Sequence, residues 1–432
     1  MAGEWHVVRF ERLLAEPVRN GIYKPKEFHG RGAKIVNMGE LFAYPRLRAV
    51  PMKRVELSTS ETERFMLAEG DLIFARRSLT AAGAGKCSVV VEIDEPTTFE
   101  SSIIRARPNK LKAEPLYLYY FFNSDAGLHS LDTIRRQVAV AGITGSDLAS
   151  LEIPMPSLPE QHAIAHILGT LDDKIELNRR MNETLETMAR ALFQSWFVDF
   201  EPVRAKMEGR DTGLPQAIAD LFPDRLVESE LGKIPRGWLC STVGKHFKLT
   251  MGQSPPGSTY NESGDGLPFF QGRTDFGFRF PSRRVFCTAP TRLAEVGDAL
   301  VCVRAPVGDV NIAIEQCAIG RGVAAARHLS RSSSFTYYAM HNLGEHFGKF
   351  EGEGTVFGSI NKADFERLPF VAPPQAVLDG FERIASRIDE RIVGCARESS
   401  TLTGLRDTLL PQLISGELRI HDAKQFIAEV MA

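Results

Sequence analysis

The sequence predicts an α+β fold with two mixed α/β domains separated by two long antiparallel coiled-coil helices, related by an internal pseudo-twofold repeat. Three observations in the 432 residues lead to this prediction. Part of the chain recurs at a fixed offset, each copy carries a long heptad seam, and the rest consists of short apolar runs broken by glycine and proline.

The repeat is most regular in its helical part. The stretch "LDDKI" at 171–175 returns as "IDERI" at 388–392, which is 217 positions later, and apolar residues face apolar residues at this offset for a long distance on either side. The earlier parts repeat more loosely, because 32–42 faces 266–276 at an offset of 234 and 69–77 faces 296–304 at 227. The falling offset indicates longer loops in the first copy, and Trp5 and Trp238 mark the two beginnings.

The repeat predicts six segments. They are a first domain at 1–156, a first spacer helix at 157–200, a linker at 201–237, a second domain at 238–373, a second spacer helix at 374–416 and a C-terminal tail at 417–432.

Both helices carry a seam with alternating steps of four and three residues. Between 164 and 196 it reads Ile, Leu, Leu, Ile, Asn, Asn, Leu, Ala, Leu, Trp, and between 381 and 413 it reads Phe, Ala, Ile, Ile, Cys, Ser, Leu, Arg, Leu, Leu. A buried asparagine in such a seam fixes the register, so Asn178 and Asn182 are predicted to lie inside it. Alternatively, both face solvent and the seam runs through Leu177 and Met181. About 38 helical residues extend ~57 Å, which predicts a rigid spacer.

Composition excludes several classes of protein. Hydrophobic residues make up 43% and charged residues 25% of the chain, as in ordinary globular proteins, and no run of 18 apolar residues predicts a membrane span. Six scattered cysteines without a CxxC pair indicate a reducing cytoplasm. The net charge is −2, but each domain has a small basic surplus, with 21 Lys+Arg against 19 Asp+Glu in 1–156 and 14 against 12 in 238–373.

Catalytic signatures are missing from the sequence. The stretch "AGAGKCS" at 82–88 lacks the first glycine of a phosphate loop, and Cys87 stands where that loop needs serine or threonine. His162 and His166 have helical spacing without the glutamate of a zinc protease, so surface histidines are the better interpretation. No Asn/Asp-Pro-Pro-aromatic tetrapeptide supports a single-chain methyltransferase. We therefore expect no catalytic residue, metal site or cofactor in this chain.

Each domain contains a strand, then arginine, then a turn with glycine. These are "GDLIFARRSLTAAGAGKCSVV" and "GDALVCVRAPVGDVNIA". Arginine on a stiff turn can fork onto guanine or phosphate, so Arg76, Arg77 and Arg304 are predicted to contact DNA. Further cations that could add DNA contacts are Lys86, Arg105, Arg273, Arg321 and Arg327. The alternative is that these arginines form ordinary surface ion pairs.

The chain resembles a known family. The stretch 143–206, "ITGSDLASLEIPMPSLPEQHAIAHILGTLDDKIELNRRMNETLETMARALFQSWFVDFEPVRAK", closely resembles the central conserved region of the specificity subunits of type I restriction–modification systems. The stretches 357–374 and 405–420 resemble their second conserved region, and "GDLIFARR" and "VRAPVGDVNIA" are similar to a strand-turn motif of their target-recognition domains. One departure is Ala376-Val377, where the first copy has Glu160-Gln161.

The resemblance implies a non-catalytic DNA-binding subunit. Two target-recognition domains would each read half of an asymmetric bipartite DNA target, with the paired helices as a ruler. The implied partners are double-stranded DNA, two methyltransferase subunits that carry S-adenosylmethionine, and restriction/translocase subunits that use ATP and magnesium. Trp196, Phe197 and Phe200 of "SWFVDF" are candidate docking residues, although Trp196 fits the seam core equally well. The alternative function is a two-domain scaffold that binds protein.

Overall fold

The computed structural model describes residues 5–136, 141–350 and 358–431. It divides into two compact units, the first formed by Met1–Asn178 with Arg397–Ala432 and the second by Arg179–Ala396. Each unit is a mixture of helix and sheet and includes half of each long helix. The predicted α+β class is confirmed.

The first unit contains a five-stranded and a three-stranded sheet. The larger sheet has the strand order Arg19–Asn20, Ile103–Ala106, Leu72–Ala75, Cys87–Val90, Arg46–Leu47, and the smaller has the order Lys53–Val55, His29–Val36, Thr97–Phe99. Two strand pairs are added, His6–Arg9 with Glu152–Met155 and Arg77–Ser78 with Ala141–Gly142. Its shorter α-helices are Met38–Ala43, Thr59–Phe65, Pro115–Phe122, Asp125–Ile134, Gly145–Ser150 and Ile420–Met431. Single 3-10 turns lie at Phe10–Leu13, Lys26–Phe28 and Ala81–Gly83.

The second unit repeats this plan with different strand lengths. A four-stranded sheet has the order Phe247–Met251, Val323–His328, Ala299–Cys302, Val310–Ile312, and a five-stranded sheet has the order Tyr260–Asn261, Phe286–Cys287, Leu267–Phe270, Cys317–Ile319, Leu293–Ala294. Two pairs are added, Leu226–Ser229 with Gly232–Pro235 and Leu239–Thr242 with Pro369–Ala372. Its shorter α-helices are Glu201–Met207, Gln216–Ala219, Val243–His246, Ser333–Asn342, Gly344–Gly348 and Lys362–Arg367. The 3-10 turns are Gly257–Thr259 and Arg273–Asp275.

The two long helices span Leu158–Phe197 and Gln375–Ser415, close to the predicted bounds. In the first unit, Asp172 pairs with Arg406 at 2.9 Å, and Asn178 donates to Glu398 at 2.8 Å. In the second unit, the sulfur atoms of Met181 and Cys395 lie 3.6 Å apart. In these contacts the residue number rises along the first helix as it falls along the second, so the helices pack antiparallel within each unit.

The seam follows the predicted register. Asn178 is fully buried and Asn182 is 8% exposed, whereas Leu177 is 52% exposed, so the alternative seam is wrong. The Asn178 side chain donates to Glu398 Oε2, which also lies 3.3 Å from Lys174 Nζ. A buried polar contact of this kind tolerates few other registers, because a slip would leave the amide without its partner.

A tyrosine–aspartate hydrogen bond attaches the sheet region of each unit to a long helix. Tyr120 donates to Asp172 Oδ2 at 2.7 Å in the first unit, and Tyr338 donates to Asp389 Oδ1 at 3.1 Å in the second. Asp172 and Asp389 are the second residues of "LDDKI" and "IDERI". The recurring five residues therefore carry an equivalent attachment point in both copies.

Arg279 completes this attachment in the second unit. Its side chain is 1% exposed, lies 2.6 Å from Asp389 and also pairs with Glu186, and its guanidinium stacks 4.2 Å over the Tyr337 ring. Burial opposes the charge, but Asp389, Tyr338 and Glu186 more than offset this and raise the pKa of Arg279. The same burial raises the pKa of Asp389, although Arg279 acts in the opposite direction.

Two predicted segments are more ordered than expected. The predicted linker at 201–237 contains two helices and a hairpin, and its residues Val203, Phe222 and Ile234 are buried in the second unit. The predicted tail contains the helix Ile420–Met431, whose Ala423 is fully buried in the first unit. Both segments lack a long hydrophobic period, which is why the sequence analysis treated them as connections. The remaining predicted boundaries stay predictions.

The substitution Arg279→Met should destabilise the second unit by ~3–5 kcal/mol, because it leaves Asp389 buried without its cation, while Glu186 keeps only Arg190 at 2.8 Å. The folded-state pKa of Asp389 is already raised, so protonation should favour the folded variant and part of the loss should return as the pH is lowered from neutral to about 5. Denaturant unfolding at both pH values measures this.

The matched control is Arg283→Met. Arg283 pairs with Glu315 at 2.6 Å but is 59% exposed, so its loss should cost less than ~1 kcal/mol at either pH. Equal losses in the two variants would show that the Arg279 cluster does not anchor the unit.

Candidate nucleic-acid interface

Three of the predicted arginines meet in one cavity of the second unit. This arginine cavity has a volume of about 240 Å³. Its lining consists of Arg273, Arg304 and Arg321 together with Ser254, Gln271, Gly272, Ala305 and Gly322. The three arginines come from separate parts of the chain, so the fold and not sequence proximity brings them together.

Neighbouring strand ends build the cavity. Leu267–Phe270 and Cys317–Ile319 are parallel neighbours, so the loops that follow them emerge at the same edge of the sheet. Glycine permits the close approach of these loops. A Cβ on Gly252 would lie 2.1 Å from the carbonyl oxygen of Gly320, and one on Gly322 would lie 2.1 Å from that of Gln271.

The three arginines differ in how they are held. Arg273 is 56% exposed and its Nε lies 2.7 Å from Asp309 Oδ2. Arg321 is exposed, and its Nε lies 3.4 Å from Ser254 Oγ. Arg304 is exposed and has no ion-pair partner among the residues that the structure describes. The cavity therefore presents positive charge that the protein itself neutralises only in part.

The turn that carries Arg304 is fixed by backbone contacts. Arg304 forms a bridge with Ser359, and the amide of Ala305 donates to the carbonyl of Gly358 at 2.9 Å. On its inner side, Ile360 N donates to Val303 O at 3.0 Å. Arg304 thus projects from a turn that backbone hydrogen bonds hold in place.

The first unit has an equivalent turn with Arg77. Arg77 pairs with Gly142, and Ile143 N donates to Arg76 O at 3.0 Å. The equivalent hydrogen bond in the second unit runs from Ile360 N to Val303 O. Arg77 is exposed, whereas Arg76 is half-buried with its Nη1 3.4 Å from Ser101 O. Lys86 is half-buried and its Nζ lies 5.3 Å from the centre of the Phe42 ring.

Tyr23 is a candidate contact that the sequence analysis missed. It is 78% exposed and follows Ile22, whose amide donates to Phe99 O at 2.9 Å. In the second unit, Gln253 N donates to Ile319 O at 3.0 Å in the same way and is followed by Ser254 of the arginine cavity. The equivalence of the two segments comes from these backbone contacts, because Gly21 and Gly252 do not align at any of the repeat offsets found in the sequence.

Two predicted DNA contacts are structural instead. Arg105 is 2% exposed, lies 2.9 Å from Glu16 and donates to Met66 O at 2.8 Å, so it faces the interior. Burial, followed by the neighbouring charge of Arg107, lowers the pKa of Arg105.

Arg327 is the second correction. It binds both carboxylate oxygens of Asp298, as Arg107 binds both oxygens of Asp71 in the first unit. Asp71 and Asp298 also accept a backbone amide of their own turns, at 2.8 and 2.9 Å. This recurring pair holds the turn before the strand that leads to Arg77 or Arg304, so Arg327 is occupied.

The three aromatic docking candidates belong to the core of the second unit. Trp196 is 1% exposed and packs on Phe222 and Phe381, so it has no surface to offer a partner. Phe197 and Phe200 are 9% and 7% exposed and pack on Trp238. Only their edges reach the surface, where they line an apolar cavity of about 310 Å³.

Other expectations can be compared with the described part of the chain. His162 Nδ1 lies 3.1 Å from Glu114, and no cluster of three or more possible metal ligands occurs among the residues at 5–136, 141–350 and 358–431. Within the same ranges, every helix is too short or too polar to cross a bilayer.

The substitution Gly252→Ala should separate the loops of the arginine cavity, because the added Cβ meets a carbonyl oxygen at 2.1 Å. We expect a loss of roughly 1–3 kcal/mol, typical of overpacking. Denaturant unfolding followed by tryptophan fluorescence measures it, since Trp196 and Trp238 both lie in this unit.

Gly257→Ala is the matched control, since no described atom lies within 4 Å of its Cβ position. If both glycine variants unfold at the same denaturant concentration as the unaltered chain, the close approach of the loops does not hold the cavity.

Residues 22–187 match the family model of the type I restriction modification DNA specificity domain. Over 425 residues the chain is 28% identical to a putative type I restriction enzyme specificity subunit, MjaX, of Methanocaldococcus jannaschii. This alignment covers 96% of this chain and 94% of the relative. It is 26% identical over 373 residues to the HindI specificity subunit of Haemophilus influenzae, which covers 73% of this chain and 80% of the relative.

A solved structure supports the fold. The crystal structure of the S subunit of a type I restriction–modification system from M. genitalium is 16% identical and has a TM-score of 0.60, covering 95% of this chain and 96% of that one. Residues 22–187 thus match the specificity-domain model, and the chain is similar over nearly its whole length to specificity subunits of type I restriction–modification systems.

Proposed function

We propose that each unit of this chain reads one half of a bipartite, asymmetric DNA target. The observation that carries the proposal is the arginine cavity, where Arg273, Arg304 and Arg321 share one concave surface. A turn with the same backbone contacts presents Arg77 in the first unit.

The chemistry of these side chains suits the DNA major groove. A guanidinium can donate two parallel hydrogen bonds to O6 and N7 of guanine or bind a phosphate. Arg304 is exposed on a turn held by backbone contacts, so little backbone entropy is lost when it binds. Arg273 is more than half exposed, so it can exchange Asp309 for a phosphate at small cost.

The two surfaces share a frame but differ in side chains. The second unit presents three arginines and Gln271, whereas the first exposes Arg77, Tyr23 and Leu79. Different donors and apolar groups read different base edges. Two unlike surfaces in one chain therefore favour an asymmetric target over a palindrome.

Assembly with partners belongs to the same proposal. We expect two methyltransferase subunits with S-adenosylmethionine and restriction/translocase subunits with ATP and magnesium, all acting on DNA in the cytoplasm. The long helices would act as the spacer between half-sites. A net charge of −2 is compatible with this role, because basic partners could complete the enclosure of the DNA.

A protein-binding scaffold is the second candidate function. The apolar cavity lined by the edges of Phe197, Phe200 and Phe370 favours it, since such a surface suits a protein segment better than DNA. Salt dependence separates the two functions, because only phosphate binding releases condensed counterions.

The affinity of the chain for duplex DNA, measured with its methyltransferase partners, should fall steeply as salt rises. For roughly six phosphate contacts, the logarithm of the association constant should fall with a slope of about −5 against the logarithm of salt concentration. Fluorescence anisotropy with a labelled duplex gives the slope, and an affinity that is independent of salt would favour the scaffold.

The substitutions Arg304→Ala and Arg77→Ala should each relax recognition of one half-site, by ~1–3 kcal/mol for the lost base contact. A map of methylated adenines in cells that carry the partner subunits measures this, because each variant should methylate sites degenerate in a different half. Arg210→Ala removes the same charge from a half-exposed arginine paired with Glu201 and Glu208, and should leave the map unchanged. An unchanged map for Arg304→Ala and Arg77→Ala would refute these assignments.

A further inference from the structure

Leu79 stands almost free of the protein at the turn beyond Arg77. Its side chain is 94% exposed. The surrounding stretch from 72 to 91 contains the cations Arg76, Arg77 and Lys86 and no acidic residue. Single exposed leucines are common on protein surfaces, so exposure alone assigns no role. The electrostatics of the stretch, however, suit a polyanion.

The backbone around Leu79 is fixed on both sides. Arg77–Ser78 pairs with Ala141–Gly142, and Thr80 N donates to Ser78 Oγ at 3.2 Å. Gly83 packs so closely that a Cβ on it would lie 2.2 Å from Ser78 Oγ. A side chain held in this way loses little backbone freedom when it binds a ligand, which makes it suitable for recognition.

The second unit repeats this order. At the offset of 227 that aligns Arg77 with Arg304, Leu79 corresponds to Pro306. Arg304, Ala305 and Pro306 are all exposed, and Ala305 lines the arginine cavity. In both units an exposed arginine is therefore followed two residues later by an exposed apolar residue.

We propose that Leu79 reads the 5-methyl group of a thymine in the half-site bound by the first unit. That methyl is the apolar group on the major-groove edge of the bases, so it is the base feature that a leucine can select. Arg77 lies two residues away, where it can hold the neighbouring phosphate or guanine. This proposal rests on the proposed function and adds that the first half-site contains a thymine that the second unit does not read.

The test begins with the full-length chain and its methyltransferase partners, which select duplexes from a randomised DNA library. The half-site that Arg77→Ala relaxes is then assigned to the first unit. Each thymine in that half-site is replaced singly by deoxyuridine, which lacks only the methyl group. One replacement should weaken binding by roughly 3- to 5-fold, the effect of one buried methyl.

Leu79→Ala should bind the thymine duplex roughly 10-fold more weakly, because it removes most of the apolar contact. It should also bind the thymine and deoxyuridine duplexes equally. Leu111→Ala is the matched control. Leu111 is 87% exposed in the same unit, so this variant should keep both the affinity and the discrimination of the unaltered chain.

Each contrary outcome has its own meaning. If the unaltered chain selects no motif, the proposed function fails. If it selects a motif but the first half-site lacks thymine, or Leu79→Ala discriminates deoxyuridine as the unaltered chain does, only the assignment of Leu79 fails. A Leu79→Ala chain that binds DNA normally but no longer assembles with the methyltransferase would place Leu79 at a protein contact and overturn the assignment.

Discussion

The hydrogen bond between a tyrosine of the sheet region and an aspartate of a long helix is the constraint on which each unit depends. Tyr120 with Asp172, and Tyr338 with Asp389, fix the sheet region to the helix at equivalent heptad positions. In the first unit Asp172 also binds Arg406 of the other long helix, so one carboxylate joins three elements. The recurrence of "LDDKI" as "IDERI" thus has a physical reason beyond helix formation: each aspartate adds a polar contact to an attachment that also packs through apolar residues.

The two attachments are unequal in their surroundings. Asp172 meets Arg406, whose side chain is 29% exposed, whereas Asp389 meets Arg279, which is 1% exposed and stacked on Tyr337. Charges taken further from water interact more strongly with each other but cost more to bury, so the second attachment depends more on a complete set of partners. In the first attachment the cation is partly exposed to solvent, although the side chain of Asp172 itself is only 11% exposed. The same repeat has therefore produced one attachment that tolerates change and one that tolerates little.

The sequence predicted the long helices, whose apolar residues recur with a regular period. It did not predict contacts between residues that lie far apart in the chain. The steps of four and three placed both long helices and the buried Asn178. Arg304 was found because it precedes a glycine turn, and Arg273 and Arg321 were named as further cations, although nothing in the sequence showed that the three share a cavity. Arg105 was misassigned because its partner, Glu16, lies far away in the chain, whereas Trp196 was left open between seam core and docking surface and lies in the core. The ordered segment at 201–237 has helices too short to show a period.

Backbone contacts hold much of the frame behind the proposed recognition surfaces. The backbone amides of Ile143 and Ile360 hold the two turns by hydrogen bonds. A Cβ on Gly21 or Gly252 would lie 2.1 Å from a carbonyl oxygen of the facing loop. Neither contact uses the side chains that point outward, such as Tyr23, Leu79 or Arg304. Those side chains can therefore change without loss of the frame, because the contacts that hold the turns depend on residue type only at glycine and at the Arg107–Asp71 and Arg327–Asp298 pairs. Under the proposed function, a chain built in this way can acquire a new DNA target through a few exposed residues while the helices and their attachments stay the same.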